Sequence, residues 1–214
     1  MELYEVMRTA FSARQFTDEP VPDEVLLRII ENARFAPSGG NRQGWHIIVV
    51  RDAATKSAIG DLAIPAAKQY AAQVQAGENP WNTIVPTKVD AATIEATVAP
   101  AGLVGTYAAA PVVLVVCVDL GVVASVDSEL ERVGVISGAS IYPLVWNILL
   151  AARNEGYGGA LTTMPIHEEP GLQALLGIPA QVAVAAVLPI GRPVRQLTKL
   201  KRKPVGDGMH FERW

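Results

Sequence analysis

The spacing of apolar residues predicts an amphipathic helix over residues 22–36. Pro22 stands near its start, and Asp23 and Glu24 follow at the end of the helix where the dipole favours negative charge. The residues that define the apolar face are Leu26, Ile29, Ile30 and Ala33. A polar stretch at 37–44 then breaks the periodicity, so a loop follows the helix.

Three apolar runs have the length and composition of β-strands. Residues 45–50 resume directly after the polar loop as a β-rich run. Residues 112–118 and 182–188 are continuous and rich in β-branched side chains, which is typical of strands covered on both faces of a sheet. We therefore expect helices on both sides of these strands.

Two longer helices and one irregular segment complete the predicted order. Helical stretches are expected over 53–75 and over 139–155, with Gly156 as the stop signal of the second. Pro143 predicts either a kink in that second helix or its boundary. Residues 77–110 contain three prolines and little periodicity, which makes them a candidate lid. A short helix near 170–176 completes the pattern, and no linker divides the chain, so residues 1–214 are predicted to form one domain.

Composition narrows the function classes. Half of the 214 residues are hydrophobic and 18% are charged, which indicates surface hidden by a second subunit, most simply in a homo-oligomer. No apolar run approaches the roughly 20 residues that cross a bilayer, and no secretory signal is recognisable, so we expect no membrane partner and a cytoplasmic location. The net charge of −3 argues against a nucleic-acid partner.

The common catalytic motifs are missing. The chain has no GxSxG, P-loop or HExxH motif, and its three histidines are scattered without metal-ligand spacing, so no metal site is predicted. The single cysteine, Cys117, lies in an apolar strand and is interpreted as core. The glycines that follow residue 155 lack the last glycine of a dinucleotide fingerprint and come after a helix, so a Rossmann site is not expected.

Four segments remain that suit an anionic, flavin-like ligand. They are an N-terminal stretch with Arg8, Ser12 and Arg14, the loop at 37–43, the Gly158–Gly159 turn, and a basic run with Lys201 and Arg202. Arginine forks and a hydroxyl suit a phosphate, while amide groups and close backbone approach suit the edge of a flavin ring. Taken singly, each segment is as consistent with a solvated surface or an ordinary turn.

The order of these segments resembles the FMN-dependent nitroreductase family. The similarity begins at residues 12–16 and 19–21 and continues through residues 33–45 (ARFAPSGGNRQGW), residues 147–159 (NILLAARNEGYGG) and residues 201–204. It covers nearly the whole chain except residues 77–110. Two positions depart from the family pattern: Ala10-Phe11 stands where many members carry an extra basic residue before the serine, and Gly44 replaces the usual proline. The resemblance suggests that Arg8 compensates for the first change.

The resemblance implies a fold, an assembly and a set of site residues. The expected fold is an α+β, three-layer α/β/α sandwich with a mainly antiparallel sheet, in an intertwined homodimer with FMN at the interface. The helix over 139–155 would lie in that interface, and residues 205–214 would form an extension that embraces the partner. The residues expected to bind the FMN phosphate and ribityl chain are Arg8, Ser12, Arg14, Lys201 and Arg202. Those expected to line the ring are Pro37, Ser38, Gly39, Asn41, Gln43, Gly158, Gly159 and Leu161.

The expected reaction is a ping-pong transfer of electrons from NADH or NADPH through FMN to a small acceptor such as a nitroaromatic or a quinone. The cofactor carries the chemistry, so no catalytic side chain is predicted. Trp81 and Tyr107 in the candidate lid are predicted to stack over the acceptor. Dehalogenation or alkene reduction on the same fold, a non-catalytic flavin-binding protein and a cofactor-free interaction protein remain alternatives.

Overall fold

The computed structural model describes all residues from Met1 to Trp214. Nine α-helices and four β-strands follow one another along the chain. The helices are α1 (Leu3–Thr9), α2 (Asp23–Ala33), α3 (Ala53–Leu62), α4 (Ile64–Gln75), α5 (Ala91–Ala96), α6 (Ala101–Val104), α7 (Thr106–Ala109), α8 (Tyr142–Asn154) and α9 (Glu169–Leu176). The strands are β1 (Trp45–Val50), β2 (Val112–Asp119), β3 (Gly158–Gly159) and β4 (Val182–Gly191).

The strands form one antiparallel sheet in the order β1-β2-β4-β3. Strand β2 is buried from Val112 to Val118, as its continuous apolar run predicts. Its alternate side chains enter two separate cores, because successive residues of a strand point to opposite faces. Leu114 and Val116 pack with helices α2 and α8, whereas Val113 and Val115 pack with residues from α3, α7 and α9. The predicted α+β fold with three layers and an antiparallel sheet is therefore confirmed.

The predicted helices and strands are present with some changes of boundary: the helix expected over 22–36 ends at Ala33, and the irregular segment at 77–110 contains the short helices α5, α6 and α7. The helix expected over 53–75 is two helices that meet at Ala63, because Pro65 occupies the first turn of α4 and cannot donate the hydrogen bond that a continuous helix needs. Pro143 likewise lies in the first turn of α8, so it marks a boundary and not a kink. Cys117 is buried, as predicted, and burial raises the pKa of its thiol to about 11.

Large apolar side chains are exposed at the C-terminal end and on helices α1 and α8. The last residues extend away from the cores, with Phe211 and Trp214 almost fully exposed. Tyr142 and Trp146 on α8 and Tyr4 on α1 are also exposed. None of the helices combines the length and apolar character that crossing a bilayer requires.

Candidate functional site

A cavity lies between the N-terminal segment, helix α8 and strand β3. Its lining residues are Ala10, Phe11, Ser12, Trp146, Leu149, Arg153, Gly158, Gly159, Leu161, Gln196 and Arg202. The structure thus brings together residues from three distant stretches of the sequence, 10–12, 146–161 and 196–202, including five of the predicted site residues. Two arginines and no carboxylate line the cavity, so its walls favour an anionic ligand.

The N-terminal segment is attached to the sheet at β3. Ser12 pairs with Gly159 in a parallel bridge, and the N–H of Ala13 donates to the carbonyl of Gly159 over 3.0 Å. This pairing extends the sheet by one short, strand-like step beyond β3. Ser12 is consequently fixed beside the glycine pair.

Gly159 is required by packing within the chain. A Cβ atom at this position would lie 2.5 Å from Ile190 Cδ1, 2.6 Å from the Pro189 carbonyl oxygen and 3.2 Å from Leu149 Cδ2. Gly158 is also crowded, with Pro193 Cγ 3.0 Å from the place of a Cβ. The sequence predicts that these glycines allow close approach of a flavin ring. The structure gives them another role as well, which is to let α8 and β4 close on the edge of the sheet.

One face of helix α8 forms a wall of the cavity. Trp146, Leu149 and Arg153 are spaced by three and four residues, which places them on the same side of a helix. Arg153 was not among the predicted site residues. Its spacing from Trp146 and Leu149 is the signal in the sequence that could have identified it.

A second cleft, rich in cations, adjoins the cavity. It lies between α1 and residues 198–202, and Arg202 lines both spaces. Arg8 and Lys199 line only this second cleft. Arg14 and Lys201 line neither space: the Arg14 guanidinium lies 3.5 Å from the carbonyl oxygen of Ser12, and the carbonyl of Lys201 accepts a hydrogen bond from Arg202 over 2.7 Å.

The loop at 37–43 is held in an unusual backbone conformation. Gly40, Asn41 and Gln43 have positive φ angles of 61°, 53° and 49°. Non-glycine residues seldom adopt this region. Ser38 Oγ stabilises the turn by accepting from the Gln43 N–H over 3.0 Å. Such strain persists only where the surroundings enforce it and is common at ligand sites.

Within one subunit this loop does not reach the cavity. No residue from 37 to 43 lines it. The N–H of Gly39 donates to Ser140 Oγ over 3.1 Å, just before α8 begins at Tyr142, whereas Arg153 lies at the other end of α8. The helical rise places those two ends about 17 Å apart. The 37–43 loop, one of the predicted ring-lining segments, therefore lies at the opposite end of α8 from the cavity that holds Ser12, Arg202 and the glycine pair.

Gly44 has a local packing reason for departing from the family pattern. A Cβ at this position would overlap Val122 Cγ2. Arg42 also reaches the same neighbour, with its guanidinium 3.4 Å from the Val122 carbonyl oxygen. The segment at 121–140 therefore supports the 37–44 loop from one side through Val122 and from the other through Ser140.

Asp127 organises that supporting segment. Its side chain is 3% exposed and accepts hydrogen bonds from the Val135 N–H over 2.8 Å, from Arg132 over 2.7 Å and from Ser125 Oγ over 3.1 Å. The Val135 N–H and the Arg132 guanidinium hold the pKa of this carboxyl well below its usual range. The carboxylate thus fixes the segment that holds the 37–44 loop.

The two aromatic residues predicted to contact the acceptor lie in different environments. Trp81 is 42% exposed, has a φ of 55° and packs against His167 at 5.5 Å between ring centroids, in a separate, mainly apolar cavity. Tyr107 is fully buried, and its hydroxyl lies 3.0 Å from Thr162 Oγ1. Burial raises its pKa to about 12. The prediction that Tyr107 stacks over the acceptor is wrong, because its ring belongs to the core between α3 and the sheet.

The comparison with known proteins settles the family. The model of the nitroreductase family matches residues 7–192. The chain belongs to the nitroreductase family. It is 28% identical to human iodotyrosine deiodinase 1 over 97% of this chain and 68% of that protein, and 28% identical to an NADH dehydrogenase of Thermus thermophilus over 91% and 88%. The crystal structure of oxidised iodotyrosine deiodinase bound to FMN and 3-iodo-L-tyrosine has the same fold, with a TM-score of 0.71, 21% identity and full coverage of both chains.

Replacing Gly159 by alanine should disturb the site by overpacking. The added methyl must displace Ile190 or the backbone at Pro189, so we expect a loss of about 1–3 kcal/mol in the free energy of unfolding, measured by urea titration. Gly102→Ala is the matched control, because no atom lies within 4 Å of its Cβ position in α6. An equal effect of both substitutions would contradict the packing role of Gly159.

Asp127→Asn should weaken the supporting segment in a pH-dependent manner. The pKa of Asp127 is lowered in the folded protein. Its contribution is therefore complete above the unfolded-state pKa of about 3.9 and is lost as the pH falls towards the folded-state value. We expect the variant to be less stable than the wild type at pH 7 and the difference to shrink below about pH 4. Asp18→Asn, at an exposed position, is the control. A difference that stays constant down to about pH 3 would contradict this role of the carboxylate.

Proposed function

We propose that the protein is an FMN-dependent oxidoreductase that takes electrons from NADH or NADPH and passes them to a small acceptor such as a nitroaromatic or a quinone. The observation that carries the proposal is the acid-free cavity at β3, in which Ser12, the glycine pair and two arginines converge in a chain of the nitroreductase family. The name of the Thermus relative supports a nicotinamide donor.

The cavity has the chemistry that this cofactor requires. A phosphate group carries a charge of about −2. Complementary hydrogen-bond donors are present in the guanidinium groups of Arg153 and Arg202 and in the hydroxyl of Ser12. The walls formed by Trp146, Leu149 and Leu161 are apolar and suit the body of a planar ring. One ligand with a charged end and a flat, apolar end therefore fits this lining.

We assign the chain's residues to binding and positioning. Ser12 and Arg202 in the cavity, with Arg8 in the adjoining cleft, serve the phosphate and ribityl chain, and Leu161 with Gly158 and Gly159 lies beside the ring. The roles expected for Arg14 and Lys201, which line neither space, stay predictions. Bound FMN supplies the capacity to accept two electrons from one substrate and give them to another. The chain itself orients the substrates, excludes water and surrounds the site with positive charge. No carboxylate or histidine lines the cavity, so no residue of this subunit is positioned there to act as a general acid or base.

The ring-lining loop comes, in this proposal, from a second copy of the chain. A two-fold axis beside α8 pairs this helix with its copy in the antiparallel direction. The 37–43 loop at the beginning of one α8 then approaches the cavity at the end of the other. Exposed Tyr142 and Trp146 support contact along α8, and exposed Phe211 and Trp214 support an embrace of the partner by residues 205–214. The loop residues that would complete the site from across the interface are Pro37, Ser38, Gly39, Asn41 and Gln43.

Reductive dehalogenation is the second candidate activity. It is favoured by the similarity to iodotyrosine deiodinase 1, which extends over 97% of this chain. It requires the same flavin site and differs in the acceptor. Trp81 and His167 form an aromatic pair in the apolar cavity near the candidate lid, and Trp81 remains our candidate for acceptor contact.

The cofactor and the activity can be tested in one preparation. We expect the purified full-length protein, supplied with FMN and freed of unbound flavin, to show a visible absorption band that bleaches under anaerobic NADH or NADPH. Addition of a nitroaromatic, a quinone or an iodinated tyrosine should restore the band and identify the acceptor class. Absence of bound flavin after reconstitution would refute the proposal, whereas bound flavin that neither nicotinamide reduces would indicate a non-catalytic flavin protein.

The proposed dimer predicts a specific effect of the C-terminal aromatics. Burial of two large aromatic side chains contributes about 3 kcal/mol or more, so Phe211→Ala with Trp214→Ala should weaken dimerisation by about 100-fold or more. The measurement is molar mass by light scattering over a dilution series. Ile84→Ala, at an equally exposed position outside the tail, is the control. A monomeric wild type, or a double variant that dimerises as tightly as the wild type, would contradict the proposed embrace.

A further inference from the structure

Arg153 is a cation without a counter-ion in the wall of the cavity. It lies in the last turn of α8, is half-buried and makes none of the ion pairs of the structure. No acidic residue lines the cavity around it. A partly desolvated guanidinium without a carboxylate gains more from an anionic ligand than an exposed one does.

The guanidinium is held by one side while its other side stays available. Nε of Arg153 donates to Thr9 Oγ1 over 3.0 Å, and this hydroxyl in turn donates to the Glu5 carbonyl over 2.7 Å. Thr9 is itself fixed, because it is 7% exposed and its carbonyl accepts from Gln196 Nε2 over 2.9 Å. A guanidinium has five N–H donors, and the two terminal nitrogens of Arg153 have no hydrogen-bond partner in the chain. Those terminal nitrogens form the two-pronged end that suits phosphate oxygens.

The position of this arginine coincides with the departure from the family pattern. Ala10 and Phe11 stand where many family members carry a basic residue, and both line the same cavity as Arg153. The charge that is missing from the N-terminal segment is thus present on α8, where Arg153 donates to Thr9, the residue next to Ala10. Arg202, from the C-terminal segment, faces the same space. Arg8, which the resemblance suggests as the compensating residue, lines the second cleft and not this one.

We infer that Arg153 binds the phosphate of the flavin together with Arg202 and Ser12, and that Thr9 is a positioning residue that orients its guanidinium. The inference rests on the proposed function and adds to it a phosphate ligand supplied by α8. Because Arg153 would contact only the phosphate group of FMN, it should raise the affinity for FMN and not the affinity for riboflavin, which lacks that group. The competing occupant of the free prongs is a carboxylate of a second copy of the chain.

The test compares the two flavins on the same variants. Full-length protein is freed of flavin and titrated with FMN and with riboflavin, and binding is followed by the change in flavin fluorescence. We expect Arg153→Met to weaken FMN binding by about 30- to 100-fold, the loss expected for a charge-assisted pair of hydrogen bonds, and to leave riboflavin binding within about threefold. Arg195→Met is the matched control, since this exposed cation lines neither cleft, and it should change neither affinity.

Thr9→Val tests the positioning step without removing the charge. Valine is close in shape to threonine, and the substitution should weaken FMN binding by about 3- to 10-fold through the loss of one oriented hydrogen bond, again with little effect on riboflavin. Equal losses for both flavins in Arg153→Met would assign Arg153 a structural role and overturn the inference. An unchanged FMN affinity together with weaker dimerisation would assign its prongs to the partner and also overturn it. A wild type that binds neither flavin would refute the proposed function itself, whereas the two preceding outcomes leave that function standing.

Discussion

The close approach at the Gly158–Gly159 pair is the constraint on which the candidate site depends. Helix α8 ends at Asn154, and the chain returns to the sheet within four residues, so β3 must pass directly beneath the helix it has just left. A Cβ at 159 would lie only 2.6 Å from the Pro189 carbonyl oxygen. Its absence lets β3 pair with β4 on one side and with Ser12 on the other. Helix α8 and the N-terminal segment therefore meet at the same edge of the sheet.

Charge gives that edge its chemical character. Five of the twelve arginines have acidic partners, as in the pairs of Arg28 with Glu155 and of Arg192 with Glu19. Around the cavity this pairing stops. Arg153 and Arg202 face it without carboxylates, and the positive surface continues into the adjoining cleft. In a chain with a net charge of −3, the cations that line these two spaces without carboxylates give this region a locally positive character. An anionic ligand is the simplest group that would neutralise it.

Helices and strands were predicted well where the local spacing of apolar residues is regular. They were predicted less well where contacts between residues far apart in the sequence determine the structure. The helix at 22–36, the strands at 45–50, 112–118 and 182–188, and the buried Cys117 all follow from local periodicity or apolar runs. The role of Tyr107 could not be read locally, because an aromatic in a Pro- and Ala-rich stretch is equally suited to a lid or to a core. Its hydrogen bond with Thr162 joins residues 55 positions apart, and no periodicity encodes such a contact.

The candidate site was predictable in its residue types and less so in its arrangement. Motif order identified Ser12, Gly158, Gly159, Leu161 and Arg202, which the fold brings into one cavity. It did not reveal that Arg8 faces a neighbouring cleft or that Arg153 completes the wall, because both depend on how α1 packs beside α8. The hydrogen bond from Arg153 to Thr9 spans 144 positions of sequence and exists only in the folded chain.

The separation of the 37–43 loop from the cavity would link cofactor binding to assembly in the proposed dimer. A ligand that needs groups from both ends of α8 cannot obtain them from one copy, since about 17 Å of helix lies between them. In an antiparallel pair of α8 helices each copy supplies what the other lacks, so flavin and partner would stabilise one another reciprocally. In such a pair the Asp127 network would act on the neighbouring copy, because it organises residues 125–136, which lie between Val122 and Ser140, the two residues that contact the loop. A buried carboxylate remote from the phosphate end would thus take part in the same binding equilibrium.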